Sequence, residues 1–253
     1  MAKPYLSVVI PAYNEAERLP QTLFDIDKHL SQVDYSYEIL VVNDGSKDNT
    51  AEIVDKLIEV IKNLRLIDNE DNKGKGGVVV QGMLEAKGSI RLFMDADNST
   101  SLDQFNKFLP YFKEGYRVVI GSRAVKESEI PVKQSFHRRL LGRIGNWIIQ
   151  ILAVPGIKDT QCGFKAFTEE AAQEIFSRLT IKRWGFDIEA LTLAKLLGYK
   201  IKEVGIRWIN DPHSLVKSSA YLATFIEVLK IRWNIWRKKY QIGSDIQNEK
   251  VKT

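Results

Sequence analysis

Cysteine and histidine are scarce in this sequence, and long apolar runs are missing from it. The single cysteine, Cys162, excludes an intramolecular disulfide, and three histidines without paired spacing argue against a zinc site. No apolar run approaches the roughly 18 residues that a membrane-spanning helix needs, and residues 1–5 lack the apolar segment of a signal peptide. We therefore expect a cytoplasmic protein without a disulfide, a zinc site or a spanning helix.

The composition is that of a globular chain with a large core. Of the 253 residues, 44% are hydrophobic and 27% are charged, which suits one domain. We assign this domain to residues 1–242 and interpret residues 243–253 as a polar tail. The net charge is only +5, but the basic residues are clustered, which favours phosphates or anionic lipid headgroups as partners. The clustered residues are Arg138, Arg139, Arg143, Lys230, Arg232, Arg237, Lys238 and Lys239.

Strand-like and helix-like patterns alternate along the first half of the chain. This alternation is typical of βαβ units around a mostly parallel sheet, so we predict an α/β fold with a single Rossmann-like domain. Its helices flank the sheet, and caps at Asp48 or Thr50 and at Ser101 begin two of them. The predicted strands cover residues 6–10, 38–42, 64–68, 90–94, 116–120, 163–167 and 200–209. Further helices are predicted at 168–179 and 187–197.

Two more predicted helices, near residues 138–154 and 219–240, are amphipathic. The first follows a charged segment, residues 124–136, whose length is typical of functional or disordered loops. Both helices combine aromatic and aliphatic side chains with neighbouring Arg and Lys residues, which suits a lipid headgroup boundary. Packing against the core of the protein explains such apolar stripes equally well.

The most informative motif is Asp95-Ala96-Asp97, which ends the apolar run 90–94. Open α/β sheets bind ligands at the carboxyl ends of their strands. Two hard oxygen ligands beside the phosphates of a nucleotide are a common way to recruit Mg²⁺ or Mn²⁺. The motif predicts a metal-assisted reaction on a phosphorylated substrate, and its alternative interpretation is a surface turn.

Two other predicted strands also end in polar, turn-forming residues. Pro11 lacks a backbone donor, so we expect it to end strand pairing and to leave Tyr13 and Glu15 facing a ligand. The alternative is an ordinary strand-to-helix turn that is capped by Asn14. After the second strand, Asp44 is predicted either to bond a base or ribose or to sit in a solvated turn.

A glycine-rich segment, residues 72–77, opens a predicted helix and carries Lys73 and Lys75. Glycines at a helix start with lysines beside them resemble a phosphate-cradling loop. The segment lacks the spacing of a Walker sequence, so it does not indicate an NTPase.

Several charged side chains later in the chain are further candidates. Arg123, Arg138 and Arg139 flank the charged segment, and guanidinium groups match phosphate oxygens, although exposed arginines are also common on ordinary surfaces. Asp187 and Glu189 stand two residues apart near a predicted helix start. Residues at this spacing do not share a helix face, so one can line a site while the other caps.

Five motifs occur in order along the chain. They are Pro11-Ala12-Tyr13-Asn14-Glu15, Asn43-Asp44-Gly45-Ser46-Lys47-Asp48-Asn49-Thr50, Asp95-Ala96-Asp97, Gly121-Ser122-Arg123 and Asp159-Thr160-Gln161-Cys162-Gly163-Phe164-Lys165. Over roughly residues 5–230 this set resembles the inverting family 2 glycosyltransferases with the GT-A fold. The resemblance is to the branch that acts on polyprenyl (dolichyl) phosphate, and the last motif favours its glucosyltransferases over its mannosyltransferases.

The resemblance implies roles for residues already named. Contacts to the nucleoside are implied for Pro11, Tyr13, Glu15 and Asp44. Contacts to a metal and the diphosphate are implied for Asp95 and Asp97, with Ser99 as a further metal-side ligand. Contacts to the lipid phosphate are implied for Arg123 with Arg138 or Arg139.

The sequence departs from the family pattern at two places. The acidic-acidic-glycine-serine turn of the family begins here with Asn43, which leaves Asp44 as the binding carboxylate. The late serine-lysine pair that clamps the diphosphate appears here as Ser214 followed by Leu215, and the nearest lysine is Lys217. Ser214 and Lys217 remain the candidates for this clamp.

The implied reaction is the transfer of a hexose, with inversion, from UDP-glucose or GDP-mannose to a polyprenyl phosphate. A phosphate acceptor is largely a dianion at neutral pH, since its second pKa is near 6, so it needs no strong base. Because such an acceptor sits in a bilayer, we expect the two amphipathic helices to dock peripherally on the cytoplasmic face of a membrane.

Two alternatives to this function stay open. A soluble family 2 enzyme with a sugar or glycerol hydroxyl acceptor would need a base, for which Asp187 or Glu189 is the candidate. A nonenzymatic nucleotide-sugar or nucleic-acid binding module is disfavoured, because the basic residues do not interleave with aromatic ones as in single-strand binders.

Overall fold

One seven-stranded sheet organises the part of the chain that the structure describes. The structure is a computed structural model and describes residues 3–131, 136–210, 219–240 and 242. The strand order is β3-β2-β1-β4-β6-β5-β7, and β6 alone runs antiparallel to its neighbours. The strands are β1 Leu6–Ala12, β2 Tyr37–Asp44, β3 Leu64–Asn69, β4 Ile90–Met94, β5 Val118–Ser122, β6 Phe164–Thr168 and β7 Ile201–Gly205. The predicted α/β domain with a mostly parallel sheet is confirmed.

Helices cover both faces of this sheet. They are α1 Leu19–Leu30, α2 Thr50–Ile58, α3 Lys75–Glu85, α4 Leu109–Lys113, α5 Phe136–Leu152, α6 Glu169–Phe176, α7 Phe186–Leu196 and α8 Ser219–Trp236. A short 3-10 helix, Leu102–Lys107, precedes α4, so the single helix predicted after Ser101 is divided. Pro110 lies in the first turn of α4, where a missing backbone donor is tolerated and where it marks a new helix start.

Alternating side chains of the buried strands divide the core into two layers. Val8 and Ile10 of β1 face one layer with α1 and α2, whereas Val9 faces the other with α3, α6 and α7. Every residue of β1 is buried, which explains why its sequence reads as a nearly continuous apolar run. None of the helices within the described ranges combines the length and apolar character needed to cross a membrane.

Two strand predictions need correction. Pairing does not end at Pro11, because β1 stays in register with β2 as far as Ala12, while its pairing with β4 ends at Val9. A proline lacks only its own N–H, so the ladder on the other side of the strand can continue. The strand predicted over residues 200–209 is also shorter, since β7 ends at Gly205.

Candidate active site

The parallel strands β1, β2 and β4 deliver polar side chains to one edge of the sheet. Asp44 is the last residue of β2, and Asp95 directly follows β4. Burial raises the pKa of Glu15, which follows β1, and Arg18 lowers it, while the charges of Asp97 and Asp95 raise it further. The carboxylates after β1 and β4 therefore lie within electrostatic reach of one another.

The loops that follow β1 and β2 are tied together. The side-chain oxygen of Asn14 accepts from the Lys47 N–H at 2.8 Å, so Asn14 links the two loops and does not cap α1. The Thr50 hydroxyl accepts from the Glu15 N–H at 2.9 Å, and Asp48 accepts from the Thr50 N–H at 3.0 Å. Tyr13 stays exposed at this edge, as a residue that stacks on a ligand must.

Asp95 is held on two sides. Its Oδ1 lies 2.6 Å from the Lys75 Nζ, and its N–H donates to the Gly163 carbonyl at 3.1 Å. A Cβ on Gly163 would lie 2.0 Å from the Asp95 Oδ2. The glycine of the motif 159–165 is therefore required for the placement of Asp95.

Asp97 is held by its own turn. Its Oδ1 accepts from the Ser99 N–H at 3.0 Å, and Asn98 between them adopts a φ of 53°. Burial raises the pKa of Asp97 and the charge of Asp95 raises it further, whereas hydrogen bonds from Ser99 and the charge of Lys75 lower it. The carboxylates of Asp95 and Asp97 thus lie close enough for each charge to act on the other, and the Ser99 N–H orients Asp97.

A buried ion pair lies next to this acidic pair. The Lys165 Nζ lies 2.6 Å from the Asp187 Oδ1, and the lysine is completely buried. Its ammonium also donates to the Cys162 carbonyl and lies 5.3 Å from the centroid of the Phe93 ring. Burial raises the pKa of Asp187, while the charges of Lys165 and Lys75 lower it, so Lys75 acts on both Asp95 and Asp187.

Glu189 belongs to a different cluster. Its carboxylate accepts from the Thr180 N–H at 2.8 Å, the Thr180 hydroxyl at 2.6 Å, the Ile181 N–H at 2.7 Å and the Tyr240 hydroxyl at 2.7 Å. Asp187 and Glu189 thus face different surroundings, as expected for residues two apart on a helix. The structure brings Asp187 close to Lys75 but does not bring Glu189 there.

The glycine-rich segment 72–77 binds the protein itself. The Asp44 carboxylate accepts from the N–H groups of Lys73 and Gly74, the first at 2.6 Å, and the Gly77 N–H donates to the Lys182 carbonyl at 3.1 Å. Burial raises the pKa of Asp44, and these donors oppose it. These three amides are engaged within the protein, and binding of a phosphate by the rest of the segment stays a prediction.

The side chains of the two lysines in this segment, Lys73 and Lys75, contact different partners. The ammonium of Lys73 bonds to the side chains of Asn69 and Gln81, whereas that of Lys75 reaches Asp95. Of these two lysines, Lys75 is the one that contacts the Asp95–Asp97 pair.

Arg123 forms a two-pronged pair with Asp159. Its Nε and one Nη each lie 2.8 Å from a carboxylate oxygen, and the Arg123 N–H also donates to Asp159. Burial alone would raise the pKa of Asp159, but the guanidinium outweighs it and lowers that pKa. The guanidinium lies 5.4 Å from the Trp208 ring centroid and has further N–H groups beyond the pair.

Sequence reasoning assigned no role to Asp159 or Lys165, although both stand in a motif that it singled out. A lysine inside an otherwise apolar strand is the signal that could have identified Lys165. Arg138 and Arg139 lie in α5, but their side chains lie outside the described part, as do Ser214 and Lys217 entirely. Their roles stay predictions.

Comparison with known proteins identifies the family of this chain. The sequence model named Glycosyl transferase family 2 matches residues 7–176. A dolichyl-phosphate beta-glucosyltransferase from Dictyostelium discoideum is 40% identical over 252 residues, covering 93% of this chain and 77% of the relative. The Homo sapiens protein of that name is 36% identical over 241 residues, covering 90% and 74%.

Solved structures show the same fold. Glucosyl-3-phosphoglycerate synthase from Mycobacterium tuberculosis, in complex with Mn²⁺, UDP and glucosyl-3-phosphoglycerate, superposes with a TM-score of 0.65 at 21% identity, covering 90% of this chain and 78% of the other. S. aureus TarS with UDP-GlcNAc gives a TM-score of 0.57 at 16% identity, covering 89% and 66%. The chain belongs to glycosyl transferase family 2 and is a glycosyltransferase with the GT-A fold.

Proposed function

We propose that this enzyme transfers glucose from UDP-glucose to the phosphate of a dolichyl-type polyprenyl phosphate, with inversion at the anomeric carbon. The names of the relatives support glucose and dolichyl phosphate over mannose and other acceptors. Direct attack by the acceptor phosphate on the face opposite the departing UDP accounts for the inversion.

The engaged state of Asp187 and Glu189 is the observation that carries this proposal. A hydroxyl acceptor needs a carboxylate that is free to take its proton. Asp187 is instead ion-paired with the buried Lys165, and Glu189 accepts four hydrogen bonds from its own surroundings. A phosphate acceptor, already a dianion, requires neither carboxylate as a base.

Asp95 and Asp97 fit a divalent cation, Mg²⁺ or Mn²⁺. Within the described ranges no group of three or more Asp, Glu, His or Cys residues could hold an ion alone. One or two carboxylates completed by substrate phosphates is the usual arrangement for Mg²⁺. Burial and the neighbouring charge of Asp95 raise the pKa of Asp97, and a cation between the two carboxylates would offset both effects. When bound, the cation supplies Lewis-acid stabilisation of the departing diphosphate.

Other residues of this edge complete the proposed site. Lys75 adds positive charge where the diphosphate would lie, and Ser99 holds Asp97 in place. The remaining N–H groups of Arg123 are available to the lipid phosphate, with Arg138 or Arg139 as further candidates. The nucleoside would contact Pro11, Tyr13, Glu15 and Asp44.

The exposed face of α8 supports peripheral contact with a membrane, and we place this contact on the cytoplasmic side as part of the proposal. Trp236 is 72% exposed and Leu222 is 66% exposed, although both are large apolar side chains. Apolar ridges flanked by basic residues suit a headgroup boundary. Six large apolar residues of α8 are exposed, and we call them the α8 ridge: Leu222, Phe225, Ile226, Leu229, Trp233 and Trp236. On α5, Trp147 and Ile151 are also exposed.

Organic extraction after incubation tests the reaction. The enzyme is incubated with labelled UDP-glucose or GDP-mannose, Mn²⁺ and dolichyl phosphate, and we expect label in the lipid phase from UDP-glucose. Asp97→Asn should lower kcat by roughly 10²-fold or more, since it weakens the hold on the cation that would stabilise the departing diphosphate, whereas the exposed Asp55→Asn should not. Transfer to a sugar or glycerol hydroxyl, with none to lipid, would refute the proposal.

A further inference from the structure

The helix α8 has two faces with different chemistry. The α8 ridge faces outward, while Val228 and Ile231 on the opposite side are buried in the core layer shared with α6 and α7. Two polar residues, Glu227 and Asn234, accompany them on the inner side. The helix that carries the exposed ridge is therefore also bonded to the interior.

Glu227 holds the start of α7. Its Oε2 accepts from the N–H of Gly185, the residue that precedes α7, at 2.7 Å. A Cβ at Gly185 would lie 2.9 Å from the Glu227 Cβ, so this close approach depends on glycine. Two residues later in the chain stands Asp187, the partner of Lys165. The contact thus acts on the turn that sets the position of Asp187.

The segment before α7 also reaches the helix that carries Lys75. The Lys182 carbonyl accepts from the Gly77 N–H at 3.1 Å, and a Cβ on Gly76 would lie 2.7 Å from the Phe186 Cβ. We call residues 180–186 the connector; it ends with Phe186, the first residue of α7, and lies between α8 and the first turn of α3. The connector thus contacts both the start of α7, which carries Asp187, and the start of α3, which carries Lys75.

A second set of bonds ties α8 and the segment after it to the connector. Asn234 donates to the Thr180 hydroxyl at 3.2 Å, and the Tyr240 hydroxyl donates to Glu189 at 2.7 Å. Glu189 in turn accepts from the N–H groups of Thr180 and Ile181. Both ends of the connector are thus bonded to α8 or to residues bonded with it.

We propose that Glu227 is a positioning residue, which acts through the connector to hold Asp187 and Lys75 in their places at the acidic pair. The inference rests on the proposed function. Charge on the diphosphate grows as the sugar leaves, so a displaced Lys75 weakens the transition state more than the bound substrate. The effect should therefore fall on kcat.

Steady-state kinetics with UDP-glucose and a short-chain polyprenyl phosphate test the proposal. We expect Glu227→Ala to lower kcat roughly tenfold, with KM for UDP-glucose within about twofold of the parent. Glu227→Gln keeps an oxygen acceptor for the Gly185 N–H and should restore most of kcat. Gly185→Ala, which pushes Glu227 away, should reproduce the loss. The exposed Glu59→Ala is the control.

Thermal unfolding gives the folded fraction of each variant, so that kcat can be expressed per folded molecule. A merely structural role of Glu227 would reduce the folded fraction and leave kcat per folded molecule unchanged. A folded Glu227→Ala variant with parental kcat overturns the inference. If that variant does not fold, Glu227→Gln and Gly185→Ala decide, and parental kcat in Gly185→Ala overturns it. Absence of lipid-linked glucose with the parent enzyme would instead refute the proposed function.

Discussion

At the scale of residues, the site is a set of ion pairs that differ in burial. Lys165 and Asp187 are both buried, so their attraction offsets a large desolvation cost and the loss of one partner leaves an uncompensated charge. The Lys75 and Asp95 side chains are 28% and 33% exposed, so water screens this pair and a substrate can reach it. The first pair supports the site, and the second is placed to meet the substrate.

Removing the buried ammonium should therefore be costly. We expect Lys165→Met to lower the free energy of unfolding by about 3–5 kcal/mol, since it leaves the Asp187 carboxylate buried and unpaired. The double variant Lys165→Met/Asp187→Asn removes that charge and should recover much of the loss. Urea unfolding measures all three proteins. Equal stability of the single and double variants would show that the pair is not what holds this region.

The Arg123–Asp159 pair predicts a dependence on pH. Because the folded pKa of Asp159 is lowered, its contribution to stability is present above the unfolded value of about 3.9 and is lost as the pH falls through the folded value. The stability difference between the parent and Asp159→Asn should therefore shrink below about pH 4. Urea unfolding across pH measures it, and Asp55→Asn should show no such trend.

At the scale of elements, α3 packs closely against the sheet at Gly82. A Cβ on Gly82 would lie 2.4 Å from the Val9 Cγ1 and 2.8 Å from the Val42 Cγ2. The glycine lets the helix that begins with Lys75 approach β1 and β2 closely. The position of Lys75 thus depends on backbone packing as well as on its own ion pair.

Two glycine substitutions in helices should have opposite effects. Gly82→Ala forces atoms into a packed interface and should destabilise the protein by about 1–3 kcal/mol. Gly142→Ala in α5, where no described atom outside its own helix lies within 4 Å of the added Cβ, should stabilise it by about 0.5–1 kcal/mol through helix propensity. Denaturant unfolding measures both. A stabilising Gly82→Ala would contradict the close packing of α3.

The α8 ridge predicts vesicle binding. Trp233→Ser/Trp236→Ser should weaken co-flotation with anionic liposomes at low salt at least tenfold, since losing about 1.4 kcal/mol of apolar burial suffices for that factor. Phe24, on α1, is 48% exposed, close to the 54% of Trp233, so Phe24→Ser is a matched control that should bind as the parent does. Failure of the parent to bind liposomes would count against membrane contact through α8.

At the scale of the whole molecule, the strand order brings the active-site groups together from across the chain. β1, β2 and β4 are neighbours on one half of the sheet, and antiparallel β6 lies beside β4. Gly163, just before β6, thereby meets Asp95, just after β4, and Lys165 of β6 pairs with Phe93 of β4. A ligand bound at this edge contacts several elements and should stabilise the fold as a unit.

Thermal unfolding with ligands tests this coupling and the metal site together. UDP-glucose at about 100 times its Kd should add about 2.7 kcal/mol of stability, a shift of several degrees. Mn²⁺ should increase the shift, and EDTA should remove the increase. In Asp95→Asn/Asp97→Asn the UDP-glucose shift should not respond to Mn²⁺, and a full metal response there would exclude these carboxylates as the metal ligands.

Several elements were predictable because their signals are local. The apolar runs before Pro11, Asn43 and Asp95 are buried strands, and the residues after them form turns at one edge. The roles of the glycines at 74, 76 and 77 were not predictable, because a loop that binds its own protein looks the same in sequence as one that binds a phosphate. The bonds of the Lys73 and Gly74 amides to Asp44 and of the Gly77 amide to Lys182 follow only from the tertiary structure.

By itself, the sequence determined the α/β architecture, the family and the edge of the sheet where polar groups collect, because periodicity and turn residues act between near neighbours. Only the tertiary structure decided which charges neutralise one another. The partners in the pairs Lys75–Asp95, Lys165–Asp187 and Arg123–Asp159 are 20, 22 and 36 positions apart. Their contacts depend on how strands and helices pack, which no local pattern of residues encodes.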